Sequence, residues 1–330
     1  MVFQFILFVA GLVILYFGAE WLVKAASSIA FQFGIRPMVI GLTVVAMGTS
    51  MPEFVLNFFA VLVGEDALAI GNIIGSNVAN IGLILGVSAV LMPLVVSREV
   101  LRKEYPLMIA TSLLFYALAA DGLISRVDGG ILVFGLMALM IFLVIDGRRH
   151  IRENGKGTAS PSSMEMIAKT GESPLGNGHL SNQKKILFLL GGMIGLTFGA
   201  RLMVISAVEI AHGLNIHPVV VGLTIVAIGT SLPELAACVV CAMKNETDMS
   251  IGNVLGSNML NILFVVGMIS MIRPMAVEPI SITQHFPVMI AFAFVLYPIA
   301  RFRSSISKLE GAFLIAAFCV YLGWLIFPYL

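Results

Sequence analysis

The chain has 330 residues, of which 59% are hydrophobic and only 11% charged, with a formal net charge of +1 and a mean hydropathy of +1.03. A soluble chain carries roughly 25% charged residues, so a soluble enzyme is excluded and a bundle of membrane-spanning helices remains, with the lipid bilayer as its outer solvent. The balanced charge offers nothing to nucleic acid, and the three cysteines lie in apolar stretches without a disulfide or zinc pattern.

Apolar runs able to cross about 30 Å of hydrocarbon occur at ten places: 3–26, 38–63, 67–93, 105–120, 128–146, 185–211, 218–243, 249–272, 284–300 and 310–329. The first could pass for a signal peptide, but it lacks a basic flank and has a counterpart later in the chain. The second is interrupted by Pro52 and carries Glu53; the third is rich in Gly, Ser and Asn. Between the fifth and sixth, residues 147–184 are polar, with Pro161 and Pro174, and predict a flexible linker. The seventh repeats the proline and carboxylate of the second as Pro233 and Glu234. With the N-terminus outside, loop Lys and Arg residues divide sixteen to two in favour of the cytoplasm. That bias predicts both termini outside and the linker cytoplasmic.

The chain repeats itself. GLTVVAMGTSMPE from Gly41 returns as GLTIVAIGTSLPE from Gly222, and GNIIGSNVANI from Gly71 returns as GNVLGSNMLNI from Gly252. Both pairs are 181 residues apart, with 10 of 13 and 7 of 11 positions identical. Each copy holds five spans, an odd number, so the second must enter the membrane inverted. The expected fold is an all-α integral membrane protein of ten helices in two inverted five-helix repeats, residues 1–146 and 185–330. The repeated motifs fall at 41–81 and 222–262. Inverted repeats with interrupted spans are the pattern of secondary transporters.

Proline lacks an N–H, so Pro52 and Pro233 deprive Gly48 and Gly229 of a helical donor and should break the helices there. Glu53 and Glu234 follow immediately. An ionised carboxylate at mid-bilayer costs roughly 2.5–3.5 kcal/mol or more, so two at equivalent positions point to function. Thr49 and Ser50 share a helical face with Glu53, as Thr230 and Ser231 do with Glu234. Ser76 with Asn80, and Ser257 with Asn261, stand four residues apart on single faces. Asn72, Asn77, Asn253 and Asn258 lie nearby. Such hard oxygen donors suit sodium and calcium. Glu20 and Arg201, equivalent but opposite in charge, read as ion-paired or snorkelling groups, and Cys238 and Cys241 as small core residues.

The paired GTSMPE/GTSLPE and GNIIGSN/GNVLGSN segments resemble the two α-repeats of sodium/calcium exchangers, in the calcium/cation antiporter superfamily. The resemblance implies alternating-access exchange of Ca²⁺ for Na⁺, with these ions as cargo, no resident cofactor and no obligatory protein partner. It places calcium coordination, in competition with sodium, on Glu53 and Glu234, and further oxygens on Thr49, Ser50, Thr230, Ser231, Ser76, Asn80, Ser257 and Asn261. It adds the backbone carbonyls of Ala46 and Ala227. It favours three sodium ions per calcium, and the short linker suggests a minimal exchanger of the prokaryotic plasma membrane. Three departures stand out. Asn261 occupies a position where many relatives carry aspartate, and Asn57 and Cys238 occupy positions where relatives often carry serine. Proton-coupled members favour a glutamate in the GN segment, which is neutral here in both copies; a proton-coupled antiporter of Ca²⁺ or another divalent cation is the alternative. An intramembrane hydrolase, the reading from a different class, lacks an HExxH motif and any Ser/His arrangement.

Overall fold

The computed structural model describes residues 2–154, 181–214 and 227–327. Most of the expected linker (155–180) and the first part of the seventh span (215–226) therefore lie outside the described residues. Within them, helices stand at all ten expected places: α1 Val2–Phe33, α2a Pro37–Thr49 and α2b Met51–Val63, α3 Asp66–Leu91, α4 Glu104–Ala119 and α5 Arg126–Asn154. The second set is α6 Asn182–Gly213, α7a Ala227–Thr230 and α7b Leu232–Met243, α8 Thr247–Ile272, α9 Ser281–Ile299 and α10 Lys308–Ile326. Helix α1 runs seven residues past the predicted end of the first span. Nothing stops it until Gly34, whose φ of +62° turns the chain out of the helix. A capping box from Ser307 and Glu310 opens α10.

Burial sorts the helices. In α3 and α8, 78% of the apolar stretch is inside the protein, against 22% in α1, α5 and α10. The two Gly/Ser/Asn-rich helices form the centre, and the uniformly apolar ones face lipid. Close approach is achieved with glycine: a Cβ on Gly41 would lie 2.5 Å from the Met249 carbonyl oxygen, and one on Gly252 2.5 Å from that of Met38. This lets α2a lie against α8 backbone to backbone.

The inversion is visible in the packing. Gly11 of α1 meets Gly199 of α6, while Gly18 meets Gly192, so these repeat-equivalent helices run antiparallel. Two short antiparallel ladders repeat the relation: β1 Leu94–Val95 pairs with β4 Ser305–Ile306, and β2 Leu123–Ile124 pairs with β3 Met275–Ala276. An offset of 181, to within one residue, exchanges the ladders. They bind opposite ends of the bundle, since α4 separates β1 from β2. At the β1/β4 end Arg36 meets Glu99 at 3.3 Å, Glu104 at 3.5 Å and Asp146 at 3.3 Å. There Lys103 meets Glu99 at 2.7 Å and Asp146 at 2.5 Å. Its hydrogen bond to Asp146 is the main influence raising the Lys103 pKa above the ordinary lysine value. These pairs tie α2a, α4 and α5 together where they leave the membrane.

Candidate ion-binding site

The second span breaks where proline predicts. Helices α2a and α2b meet at 45°, with Ser50 between them at φ −85°, ψ 4°, outside the helical region. The second repeat copies this: Ser231 has φ −89°, ψ 5° between α7a and α7b, and Pro233 opens the new helix. Each carboxylate thus sits in the first turn of a fresh helix, Glu53 in α2b and Glu234 in α7b. There the helix dipole favours negative charge.

The four broken or central helices converge on these carboxylates. Glu53 and Glu234 are each 1% exposed, and Thr49, Ser50, Ser76, Asn80, Ser231, Ser257 and Asn261 lie between 0% and 2%. Across the repeats, the Ser50 hydroxyl donates to Glu234 Oε1 at 3.0 Å, and Thr230 lies beside Glu53. Thr49 Oγ1 lies 3.3 Å from both the Ala46 carbonyl and Asn253 Oδ1. The Ala46 carbonyl also accepts the Ser50 N–H at 3.0 Å, so a cation would compete there with the broken helix turn. Ala227 begins α7a.

Eight of the fifteen buried side-chain polar atoms that lack a hydrogen-bond partner, among the described residues, belong to this cluster. They are both oxygens of Glu53, Glu234 Oε2, Asn80 Oδ1, Asn261 Oδ1, and the hydroxyls of Ser76, Ser231 and Ser257. Each such atom costs about 1–3 kcal/mol. Eight together rival the ~5–15 kcal/mol by which a folded protein is stable at all. Every one of the eight is an oxygen that can face a cation, and the set joins two carboxylates to neutral carbonyl and hydroxyl donors. That chemistry matches a hard cation with no preference for nitrogen or sulfur.

Residues that the sequence reading left at the margin form an outer layer. Thr230 Oγ1 donates to Asn72 Oδ1 and Asn72 Nδ2 to Asn57 Oδ1, each at 3.3 Å. The repeat supplies the counterpart: Thr49 donates to Asn253, and Asn253 Nδ2 to Cys238 Sγ at 3.2 Å. Cys238 is therefore more than core filling, whereas Cys241 packs in a buried hydrophobic cluster. The signal was present in the sequence, because Asn72 and Asn253 recur at the same offset. A second device was not legible. Five- to six-residue π-helical segments open at Asn80 and at Asn261, widening the central helices where their side chains meet the site. Glu20 pairs with Lys244 at 3.3 Å, as an ion-paired group should. Arg201 instead lines a cavity of about 500 Å³ between α6, α2b and α7a, together with Pro52, Gly229 and Thr230.

Comparison with known proteins agrees with this architecture. The family described as "Sodium/calcium exchanger protein" matches residues 3–145 and 184–327. The sodium/calcium exchanger MaX1 of Methanosarcina acetivorans is 32% identical over 342 residues, covering 97% of this chain and 97% of that protein. The inner membrane protein YrbG of Escherichia coli is 33% identical over 320 residues, covering 97% and 95%. Among solved structures, the sodium-calcium exchanger NCX_Mj superposes with a TM-score of 0.78 at 30% identity, over 98% of this chain and 99% of that one. A match across both halves, a fold shared over the full length and an oxygen-lined centre lead to one conclusion: this multi-pass membrane protein belongs to the sodium/calcium exchanger family.

Proposed function

We propose that this chain, which exchanges Ca²⁺ for Na⁺ as its family does, holds both ions between Glu53 and Glu234. The observation that carries the assignment is the set of eight buried, unpartnered atoms at that centre. Calcium takes six to eight oxygens at about 2.3–2.6 Å, and two carboxylates neutralise its charge. Asn80, Asn261, Ser76, Ser257, Ser231, Ser50, Thr49 and Thr230 complete the shell, with the Ala46 and Ala227 carbonyls as further donors. Sodium, carrying half the charge, is served by the same neutral oxygens, so the two ions compete.

Residues 1–146 and 185–330 act as the two repeats, joined by 147–184. Alternating access follows as one set of helices rocks against the other around the fixed site. The cavity lined by Arg201, Pro52 and Thr230 reaches the residue before Glu53, and we assign the ions' approach from the α6 side to it. The chain resides in a prokaryotic plasma membrane, its termini outside and its linker in the cytoplasm. The test is calcium-45 uptake into sodium-loaded proteoliposomes, with sodium, proton and potassium gradients varied independently. Uptake that follows the sodium gradient and is lost in Glu53→Gln and Glu234→Gln is the expected result. Uptake driven by a proton gradient without sodium would replace it with the alternative coupling.

A further inference from the structure

The offset of 181 relates one further segment that the motifs do not include. Pro106-Leu-Met108-Ile109-Ala110 on α4 returns as Pro287-Val-Met289-Ile290-Ala291 on α9, with four of five residues identical. Both methionines are buried, at 0% and 1% exposure. Each touches an asparagine outside the ligand set. Asn77 Nδ2 lies 3.6 Å from Met289 Sδ, and Asn258 Nδ2 lies 3.8 Å from Met108 Sδ. Those asparagines in turn accept from the site. Asn261 Nδ2 donates to Asn77 Oδ1 at 3.2 Å, and Asn80 Nδ2 donates to Asn258 Oδ1 at 2.9 Å.

We propose that Asn77 and Asn258 are positioning residues that decide which atom Asn261 and Asn80 present to the ions, and that Met289 and Met108 anchor them. A carboxamide has one accepting and one donating end, and only the oxygen can hold a cation. A thioether can only accept. Met289 therefore draws the Asn77 NH₂ toward itself and turns Asn77 Oδ1 toward Asn261. Asn261 must answer with its NH₂, which leaves Asn261 Oδ1 unpartnered in the site. The other half works the same way with an added anchor. Asn258 Nδ2 also donates to the Asn77 backbone carbonyl at 3.4 Å, which again can only accept, and Asn80 Oδ1 is left unpartnered. Each chain crosses from one repeat to the other, so each repeat orients the other's ligand. The same arrangement keeps the site at two negative charges. An aspartate at 261 would set a carboxylate against Asn77 Oδ1, acceptor against acceptor, so Asn77 matches the amide found here.

The inference rests on the proposed ion site, and the experiment separates the two. Calcium-45 uptake and its competition by sodium are measured in proteoliposomes for Asn77→Ala, Asn261→Ala, the double variant, and Asn77→Ala with Asn80→Ala. Losing one orienting hydrogen bond should raise the calcium concentration for half-maximal uptake roughly five-fold, with the maximal rate of the reconstituted protein unchanged. Asn77→Ala should add nothing once Asn261 is alanine, but should multiply the effect of Asn80→Ala. Met289→Leu keeps the packing volume, removes the acceptor and leaves Asn77 without its anchor; it should shift half-saturation about two-fold. Met108→Leu, where the Asn77 carbonyl still holds Asn258, should shift it in the same direction but less than Met289→Leu. Independent effects of Asn77→Ala and Asn261→Ala, or equal effects of the two methionine variants, would overturn the positioning role. Normal exchange by Glu53→Gln would instead overturn the site on which it rests.

Discussion

Glu53→Gln removes one charge from the centre and changes almost nothing in shape. Thr230 lies beside Glu53 and its hydroxyl can donate to a glutamine Oε1 as to a carboxylate, so the substitution disturbs little bonding and its effect reports on the ions. Take an ion–oxygen distance of about 2.4 Å and an effective dielectric constant of about 20. Coulomb's law then gives one carboxylate an attraction of about 14 kcal/mol for a divalent ion and about 7 kcal/mol for a monovalent one. Dehydration offsets most of both, but the difference favours calcium. If a third of it survives, ~2.3 kcal/mol, preference for calcium over sodium falls about fifty-fold. The assay is calcium-45 uptake together with sodium inhibition, on protein shown to be folded by its elution profile. A thermal melt in ion-free buffer adds a control: the glutamine side chain brings no charge into the buried centre, so the variant should unfold no earlier than the parent. Near-normal calcium uptake, or loss of sodium and calcium binding in equal proportion, refutes the reasoning.

Two further outcomes follow from the same charge count and from the linker. If Glu53 and Glu234 hold the ions as proposed, one calcium would neutralise them, while three sodium ions would leave the centre at +1. A three-for-one cycle therefore moves one net charge and should respond to voltage by about 2.3 kcal/mol per 100 mV. Uptake indifferent to a potential clamped with potassium and valinomycin, after potassium transport is excluded, rules that ratio out. Residues 155–182 carry scattered acids without a calcium-loop pattern. Replacing them with a flexible polar stretch of equal length should leave the sodium/calcium competition curve unchanged, and a shifted curve contradicts their reading as a tether.

Sequence disclosed the residues of the buried polar centre because membrane burial makes them expensive. A carboxylate after a proline inside an apolar run has few structural uses, and Glu53 and Glu234 repeat that oddity at a fixed offset. The helix breaks at Ser50 and Ser231 follow from proline alone, by local chemistry. What sequence left obscure depends on contacts between repeats. Asn77 and Asn258 look like Asn80 and Asn261 along the chain, and only packing tells which of each pair faces the site and which holds the other. Met108 and Met289 are ordinary methionines until the fold places them against those asparagines. Their recurrence at the shared offset was the available clue. The π-helical segments at Asn80 and Asn261 have no local signature either, since the wider turn satisfies the packing of the centre rather than any preference of Asn-Ile.

The two repeats match in sequence at the site but not in bonding, and that difference bears on how the exchanger works. Ser50 donates to Glu234 Oε1 at 3.0 Å. Its counterpart, Ser231, is buried without a partner among the described residues, and so are both oxygens of the carboxylate it would serve, Glu53. Equivalent residues in inverted repeats can exchange environments when the protein opens to the opposite side. If the bonded Ser50 and the unbonded Ser231 mark one of two conformations, the other should carry a Ser231–Glu53 bond with Ser50 released. Ser50→Ala removes a bond made only in the first conformation, and Ser231→Ala one made only in the second. A hydrogen bond to a charged group contributes about 1.5–3 kcal/mol, so each variant should move the conformational equilibrium roughly ten- to a hundred-fold, in opposite directions. The ratio of calcium half-saturation on the two membrane faces, compared between right-side-out and inverted vesicles, reads that equilibrium. Opposite displacements by Ser50→Ala and Ser231→Ala are expected, and displacement in the same direction by both would show that the asymmetry at Glu53 and Glu234 is unrelated to access.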